Sequence, residues 1–354
     1  MKLRLILLTT MLIVCAFCLS CGRNVRESFT LFSMDTLLEA AVFNSNDIKK
    51  AESICSAEAS RLEGLLSATI NESDVSRFNS SESGVFVSDE TAVCVRIANA
   101  VKELSAGAFD VSVAPLVRLW NISHAPDGWT PPSDADISDR MKLLGDVFIE
   151  GTDSSSKEPE EAFFLSKSEP ETEIDLGGVG KGFACGKLAA LLSEQGSGGV
   201  LSFGGNVAVF GKKPDGSGFS IGVKNPSAPD ELIGKLTLTS GIVAVSGGYE
   251  RFALYGGKAY HHIIDPSTGY PSGSDLASAV IVTDISTPEA GAAADALSTA
   301  CFVIGSEKTH ELFASDDFKS FAESLGCNFG YLLIKSDLSI SVSDNLSDAF
   351  ARFN

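Results

Sequence analysis

Apolar and polar positions follow two different rhythms along this chain. Near the start, Phe29–Phe43 reads as strand, with Met34-Asp35-Thr36 inside it. Behind Asp47, a natural N-cap, the apolar residues Ile48, Ala51, Ile54, Leu62, Leu65 and Leu66 approximate helical spacing and predict a helix to about Leu66. A loop carrying Ser73–Asn79 follows. A second helix is predicted over Asp89–Leu104, capped by Ser88 or Asp89. The prolines and polar residues of 121–136 predict loop, and the acidic stretch Gly151–Glu161 a surface turn.

The later rhythm is short apolar runs between glycine-rich turns. It predicts strands at Gly199–Phe203, Val207–Phe210, Phe219–Val223, Leu232–Leu238, Ile242–Val245, Arg251–Tyr255 and Leu276–Val282. Helices are predicted at Gly182–Gln195, Pro288–Val303 and Asp316–Leu325, with a closing hairpin of Phe329–Ile334 and Leu338–Val342. The sum is an α+β architecture around a largely antiparallel sheet. No fixed-period repeat or Pro/Gly/Ser linker divides the chain, so one elaborated domain is expected rather than two.

Composition changes this picture mainly at the N-terminus. Lys2 and Arg4 precede a 15-residue apolar stretch, Leu5–Leu19, and Ser20 precedes Cys21-Gly22. That is the layout of a secretory signal, short for a bilayer span. A small residue before a cysteine resembles the bacterial lipobox, although Cys18 stands where leucine is usual. The expected organisation is a signal over 1–20, a lipidated Cys21 with a tether over 21–30, and a single folded domain over 31–345. An uncleaved anchor or a plain secreted protein are the other readings.

Over 354 residues, 27 Lys+Arg face 46 Asp+Glu, a net charge of −19. Loss of residues 1–20 removes two positive charges and no negative one, leaving −21. So acidic a chain is a poor partner for nucleic acid or for a basic grip on anionic lipid. Cys55, Cys94, Cys185, Cys301 and Cys327 are odd in number, well separated and mostly set among apolar or small neighbours. They are expected as buried free thiols rather than a disulfide framework.

Four stretches could carry chemistry. Asp175-Leu-Gly-Gly-Val-Gly-Lys-Gly-Phe-Ala184 is a glycine-dense strand-to-helix turn. Its glycines would let backbone approach a phosphate, with Lys181 as a point charge, and a tight structural turn explains them equally well. It is neither a Walker A loop nor G-x-G-x-x-G. Tyr260–Pro271 holds His261 and His262, two of four histidines, which on a strand point to opposite faces and would not chelate one metal together. One could be a base or phosphate contact, or the segment is simply a strand and turn. Asp295 and Thr299, four apart, share a helix face and offer hard oxygens of the kind magnesium prefers, although such pairs also serve as caps or surface residues. Asp110 lies in the apolar run Gly107–Val117 and needs a backbone donor or a ligand group. Leu201–Asn206 and Val245–Arg251 are two further turns where small residues let the backbone approach something closely.

Taken in order, Met34-Asp-Thr, Ser73-Asp-Val-Ser-Arg-Phe-Asn79, Gly107-Ala-Phe-Asp110, Asp175–Gly182, Gly204-Gly-Asn206, Ser246–Arg251, His262-Ile-Ile-Asp-Pro-x-Thr-Gly269 and Asp295–Thr299 resemble the ApbE family. The resemblance spans about residues 30–340. It implies a fold related to the T-fold and an FAD:protein FMN transferase, often an exported bacterial lipoprotein. Such enzymes use magnesium, take FAD as substrate, attach FMN by a phosphoester to a Thr or Ser of a target flavoprotein, and release AMP. By similarity, Asp295, Thr299 and the carbonyl of Gly178 would hold magnesium. Met34, Ala108, Phe109, Asp110, Asp175, Lys181 and the backbone near Ile264 would contact FAD. His262 matches the family's histidine, the candidate base, and Asp295 joins it as a catalytic residue.

The same resemblance implies a subunit of a membrane redox complex as partner and attachment through lipidated Cys21 to the exported face of a bacterial membrane. Two departures stand out: Gly186 where the family commonly has Asp, and Gly248 where Asp or Asn is common. Some members with altered residues near Ser67–Thr69 hydrolyse FAD to FMN and AMP. A magnesium-dependent FAD pyrophosphatase and a non-catalytic FAD-binding lipoprotein are therefore the alternatives to transfer.

Overall fold

A computed structural model describes residues 26–43, 47–151 and 163–353. The signal, Cys21, most of the tether and the Gly151–Glu161 turn lie outside the described residues, apart from Gly151, Arg26 and the residues that follow it. In chain order the elements are β1 (Arg26–Ser33), β2 (Thr36–Phe43), α1 (Ile48–Leu66), α2 (Asp74–Ser80), β3 (Gly84–Val87), α3 (Asp89–Leu104), α4 (Ala114–Trp120) and α5 (Asp134–Met141). Then come β4 (Val147–Glu150), β5 (Phe163–Lys167), α6 (Gly180–Glu194), β6 (Gly198–Phe203), β7 (Asn206–Phe210), β8 (Phe219–Asn225) and β9 (Ala228–Leu238). The chain ends with β10 (Gly241–Gly247), β11 (Phe252–Tyr255), β12 (Lys258–His261), β13 (Leu276–Thr283), α7 (Pro288–Ala314), α8 (Asp316–Ser324), β14 (Phe329–Lys335), β15 (Ile340–Val342) and β16 (Phe350–Arg352).

An eight-stranded sheet in the order β1-β2-β6-β7-β10-β13-β14-β15 is the centre of the molecule, and every pairing in it is antiparallel. Its central strands are apolar on both faces because both faces are covered. On β13, Ala279 and Ile281 join the core beneath the helices, while Val280 and Val282 join a second core on the opposite side. The first core is closed by α6 and α7, the second by the three-stranded sheet β16-β9-β8. The α+β class with an antiparallel core is as expected. Strand β1 begins within the expected tether, and β16, beyond residue 345, pairs with β9.

Four expectations are corrected. Phe29–Phe43 is a hairpin rather than one strand, because Met34 (φ 49°) and Asp35 (φ 57°) form a tight left-handed turn between β1 and β2. Such two-residue turns match strand twist but normally recruit glycine or asparagine. The Ser73–Asn79 segment is mostly helix, not loop: the Ser73 hydroxyl accepts from the Ser76 N–H and caps α2. Residues 121–136 include the start of α5, capped by Ser133. The last long helix also runs past Val303, broken at Gly305 (φ 83°), after which Asp275 accepts from the Ser306 N–H at 2.9 Å.

Glycine sets how closely α6 meets α7. A Cβ on Gly186 would stand 2.2 Å from the Thr287 carbonyl oxygen, and one on Gly182 would stand 2.1 Å from that of Gly291. The Gly186 departure thus has a steric cause. Only a hydrogen fits there. Cys55, Cys94, Cys185, Cys301 and Cys327 are free and buried, as expected. No described helix is long and apolar enough to cross a membrane.

Two glycine substitutions should have opposite signs. Gly186→Ala forces α6 away from backbone and should cost ~1–3 kcal/mol. Gly64→Ala, in α1 with nothing within 4 Å of the new methyl, should gain ~0.5–1 kcal/mol of helix stability. Denaturant melts of the two variants check this, and equal destabilisation would contradict the packing described.

Candidate functional site

Asp295 is the buried carboxylate at the centre of the site. It sits on α7 at 6% exposure, and its Oδ2 accepts the Gly182 N–H at 2.9 Å. That N–H belongs to the first turn of α6, where donors lack helical partners. The Asn206 side chain, at the start of β7, also bonds the carboxylate. Burial pushes the Asp295 carboxyl above the usual carboxylate range, opposed by nearby Lys181 and by these two hydrogen bonds.

One turn further along α7, Thr299 Oγ1 lies 3.1 Å from Ser246 Oγ, which is itself 2.8 Å from Ser298 Oγ. The Ser298 hydroxyl donates to the Asp295 carbonyl. Gly178 faces the same point: a Cβ there would be 3.7 Å from Thr299 Oγ1 and 3.0 Å from the Phe109 ring. A carboxylate, a hydroxyl and a glycine backbone therefore come together at Asp295, Thr299 and Gly178. These are hard oxygen donors, too few to enclose a cation, which suits magnesium with its retained waters and substrate phosphates. Among the described residues no cluster of three or more His, Cys, Asp or Glu side chains could hold a metal by itself. The oxygen set around Asp295 suits magnesium, and the neighbouring buried Asn206 Oδ1 has no hydrogen-bond partner among the described residues.

The glycine turn holds Lys181. Its ammonium donates to the Gly177 carbonyl, and its stem runs beside Thr36 and Gly204. The turn at Gly204 (φ 56°) and Gly205 (φ 89°) needs left-handed backbone at both positions and leaves room for that stem. One helix-terminal donor expected for a phosphate, the Gly182 N–H, is taken by Asp295 instead.

His262 is near enough to Lys181 to feel its charge. Its backbone N–H donates to the Arg251 carbonyl at 3.1 Å, and Nδ1 lies 3.2 Å from the same oxygen. A carbonyl only accepts, so Nδ1 carries the proton and Nε2 keeps a free lone pair. Burial, with Arg251, Lys181 and His261 nearby, depresses the imidazole to about 4 despite that hydrogen bond. His261 instead bonds the Ser272 carbonyl and packs on Phe302, so the two histidines do serve different surroundings.

The other candidate residues have their own local partners. Met34 forms the β1–β2 turn and packs on the core, and neighbouring Asp35 lies 3.8 Å from the Arg251 guanidinium. Ala108, Phe109 and Asp110 follow α3. Asp110 is met by a backbone donor, the Ser112 N–H at 2.8 Å, and by the Lys102 ammonium at 2.9 Å rather than by a ligand group. Asp175 accepts the Gly177 N–H at 2.6 Å, and its own N–H donates to Val111. Ile264 is buried and bridges to Pro271 beyond His262. The Ser73–Asn79 motif supports the site from behind. Asn79 holds both backbone groups of Ile174, next to Asp175, and buried Asp74 accepts from Ser88 and Thr91 at the start of α3.

Sequence reasoning missed Asn206, Ser246 and Ser298 as site residues. It also missed Glu250, a solvent-exposed carboxylate among Lys224, Lys181, Arg251 and Asp295. The Gly-Gly-Asn and Ser-Gly-Gly turns were the available signal.

The ApbE family model matches residues 34–321. The chain belongs to the ApbE family. It is 34% identical over 254 residues to an FAD:protein FMN transferase of Klebsiella pneumoniae, covering 70% of this chain and 73% of that one. It is 30% identical over 243 residues to the Vibrio cholerae protein of the same name, covering 67% and 68%. Among solved structures, the ApbE protein of Thermotoga maritima superposes with a TM-score of 0.74 at 28% identity, over 92% of this chain and 99% of that one. The flavin transferase ApbE of Vibrio cholerae superposes at 0.73 and 24% identity, over 92% and 100%, and supports the fold.

The His262 environment has a pH signature. Its folded value of about 4 lies below the ordinary 6.5, so the unfolded chain takes the proton first as pH falls. Stability carried by neutral His262 is full above pH 6.5 and is lost as pH drops toward 4. His262→Gln should lose less stability than wild type across that window in matched denaturant melts. Parallel losses would contradict the assignment.

Proposed function

We propose that this chain is a magnesium-dependent FAD:protein FMN transferase that joins FMN through a phosphoester to a Ser or Thr hydroxyl of a target flavoprotein and releases AMP. The observation that carries the reading is the convergence of Asp295, Thr299, Gly178, Lys181 and His262 in one site of an ApbE-family fold. The names of the curated relatives support flavin transfer to a protein.

Magnesium held by Asp295, Thr299 and the Gly178 carbonyl would offset charge on the pyrophosphate oxygens. Lys181 adds a fixed positive charge beside it, already aimed by the Gly177 carbonyl. His262 accepts the acceptor hydroxyl's proton at Nε2, while Nδ1–H stays anchored on Arg251. The new bond joins that hydroxyl oxygen to the FMN phosphorus. The anhydride bond to AMP breaks, and AMP carries away the electron pair. Met34, Ala108, Phe109, Asp110, Asp175 and the backbone near Ile264 are the proposed contacts to the rest of FAD. Phe109 packs on Gly178, so flavin contact and phosphate geometry share one wall.

The sequence around Cys21 supports export and lipid anchoring at a bacterial membrane, and the family resemblance supports a membrane redox subunit as the acceptor. Both belong to the proposal.

Incubation of the full chain with FAD, magnesium and an acceptor-domain protein tests the reading. Covalent flavin fluorescence on the acceptor band, with AMP released, is the expected result. Free FMN with AMP and an unlabelled acceptor would establish hydrolysis, and no turnover a binding protein. His262→Ala should lower transfer ~10²–10⁴-fold while FAD still binds. Asp295→Ala should abolish AMP release, and unchanged turnover would overturn its role.

A further inference from the structure

Asn206 carries an unfinished hydrogen-bond account. It is 1% exposed, yet its Oδ1 has no hydrogen-bond partner among the described residues. Its amide bonds Asp295. An ionised carboxylate only accepts, so Nδ2 faces Asp295 and Oδ1 is the atom left over. A buried acceptor without a donor is rare in folded proteins and calls for a partner such as water or an ion.

The position is built rather than incidental. Asn206 pairs with Phe203 on one side and Ala244 on the other, so two strands fix its backbone. It precedes Ala208 by two, and Ala208 lies in the core under the helices. The Gly204–Gly205 turn delivers it there, beside the Lys181 stem. Asp295 is thus held by two donors from separate elements, the Gly182 N–H of α6 and the Asn206 amide of β7.

We propose that Asn206 is the positioning residue of the metal carboxylate. Nδ2 orients Asp295, and Oδ1 accepts a hydrogen bond from water carried in with the cation. The inference rests on the magnesium reading above and assigns a role to a residue outside the expected donor set. Magnesium sheds its water reluctantly, so an acceptor waiting beside its carboxylate complements it as a further oxygen ligand need not. Partners behind metal ligands are worth ~10–100-fold in metal affinity.

The test measures binding of Mn²⁺, as a paramagnetic stand-in for magnesium, to the full chain without FAD, by electron paramagnetic resonance. Asn206→Ala should weaken Mn²⁺ binding ~10–100-fold relative to wild type. Asn206→Ser, a smaller polar replacement that protects against a folding failure, should fall between the two. Melting midpoints without metal separate a purely structural role, which would lower the midpoint and leave Mn²⁺ affinity alone. Wild-type affinity in both Asn206 variants, with binding lost in Asp295→Ala, overturns the role of Asn206 alone. Wild-type binding in Asp295→Ala overturns the metal reading, and this inference with it.

Discussion

The structure turns on one buried carboxylate. Asp295 lies where the first turn of α6, the start of β7 and the middle of α7 meet, and it takes a hydrogen bond from each of the first two. Burying a charge is costly unless it is paired, so its donors cannot be lost without consequence. The close glycine contacts between α6 and α7 follow from the same requirement. Only without side chains at Gly182 and Gly291 can the Gly182 N–H reach the carboxylate. The alanines Ala290, Ala292, Ala293, Ala294 and Ala296, all fully buried, line the same helix for the same reason.

Around that point the fold arranges groups with opposite electrostatic roles. Lys181 lowers the cost of the Asp295 charge and raises the cost of protonating His262. Burial acts on both in the direction of neutrality, upward for the acid and downward for the base. A neutral imidazole with its lone pair free and a fixed ammonium beside it form a sensible pair for a hydroxyl nucleophile and an anionic phosphate. The overall acidity of the chain does not prevent this, because the site's charge is set locally.

Much of this was legible in the sequence. The helix caps Asp47 and Ser88, the central strands and the free cysteines follow from local chemistry that tertiary packing does not override. The Met34–Asp35 turn did not, because neither residue is glycine and an apolar run continues on both sides. The short strands β3, β4 and β5 are four or five residues each, below what periodicity can resolve. Helix α2 was hidden by its polar composition. At the site, the glycine turn and the Asp295/Thr299 spacing were visible as motifs. The Asn206–Asp295 hydrogen bond was not, because it joins residues far apart in sequence through sheet register and helix packing.

The central claim is that the pyrophosphate of FAD is held at the α6–α7 contact. A crystal structure of the chain with FAD and Mn²⁺, read by anomalous scattering, tests it most directly. The account predicts a manganese peak in ligand contact with Asp295, Thr299 and the Gly178 carbonyl, the pyrophosphate beside Lys181 and His262 facing the FMN phosphorus. A pyrophosphate bound elsewhere, or a metal away from Asp295, would contradict it.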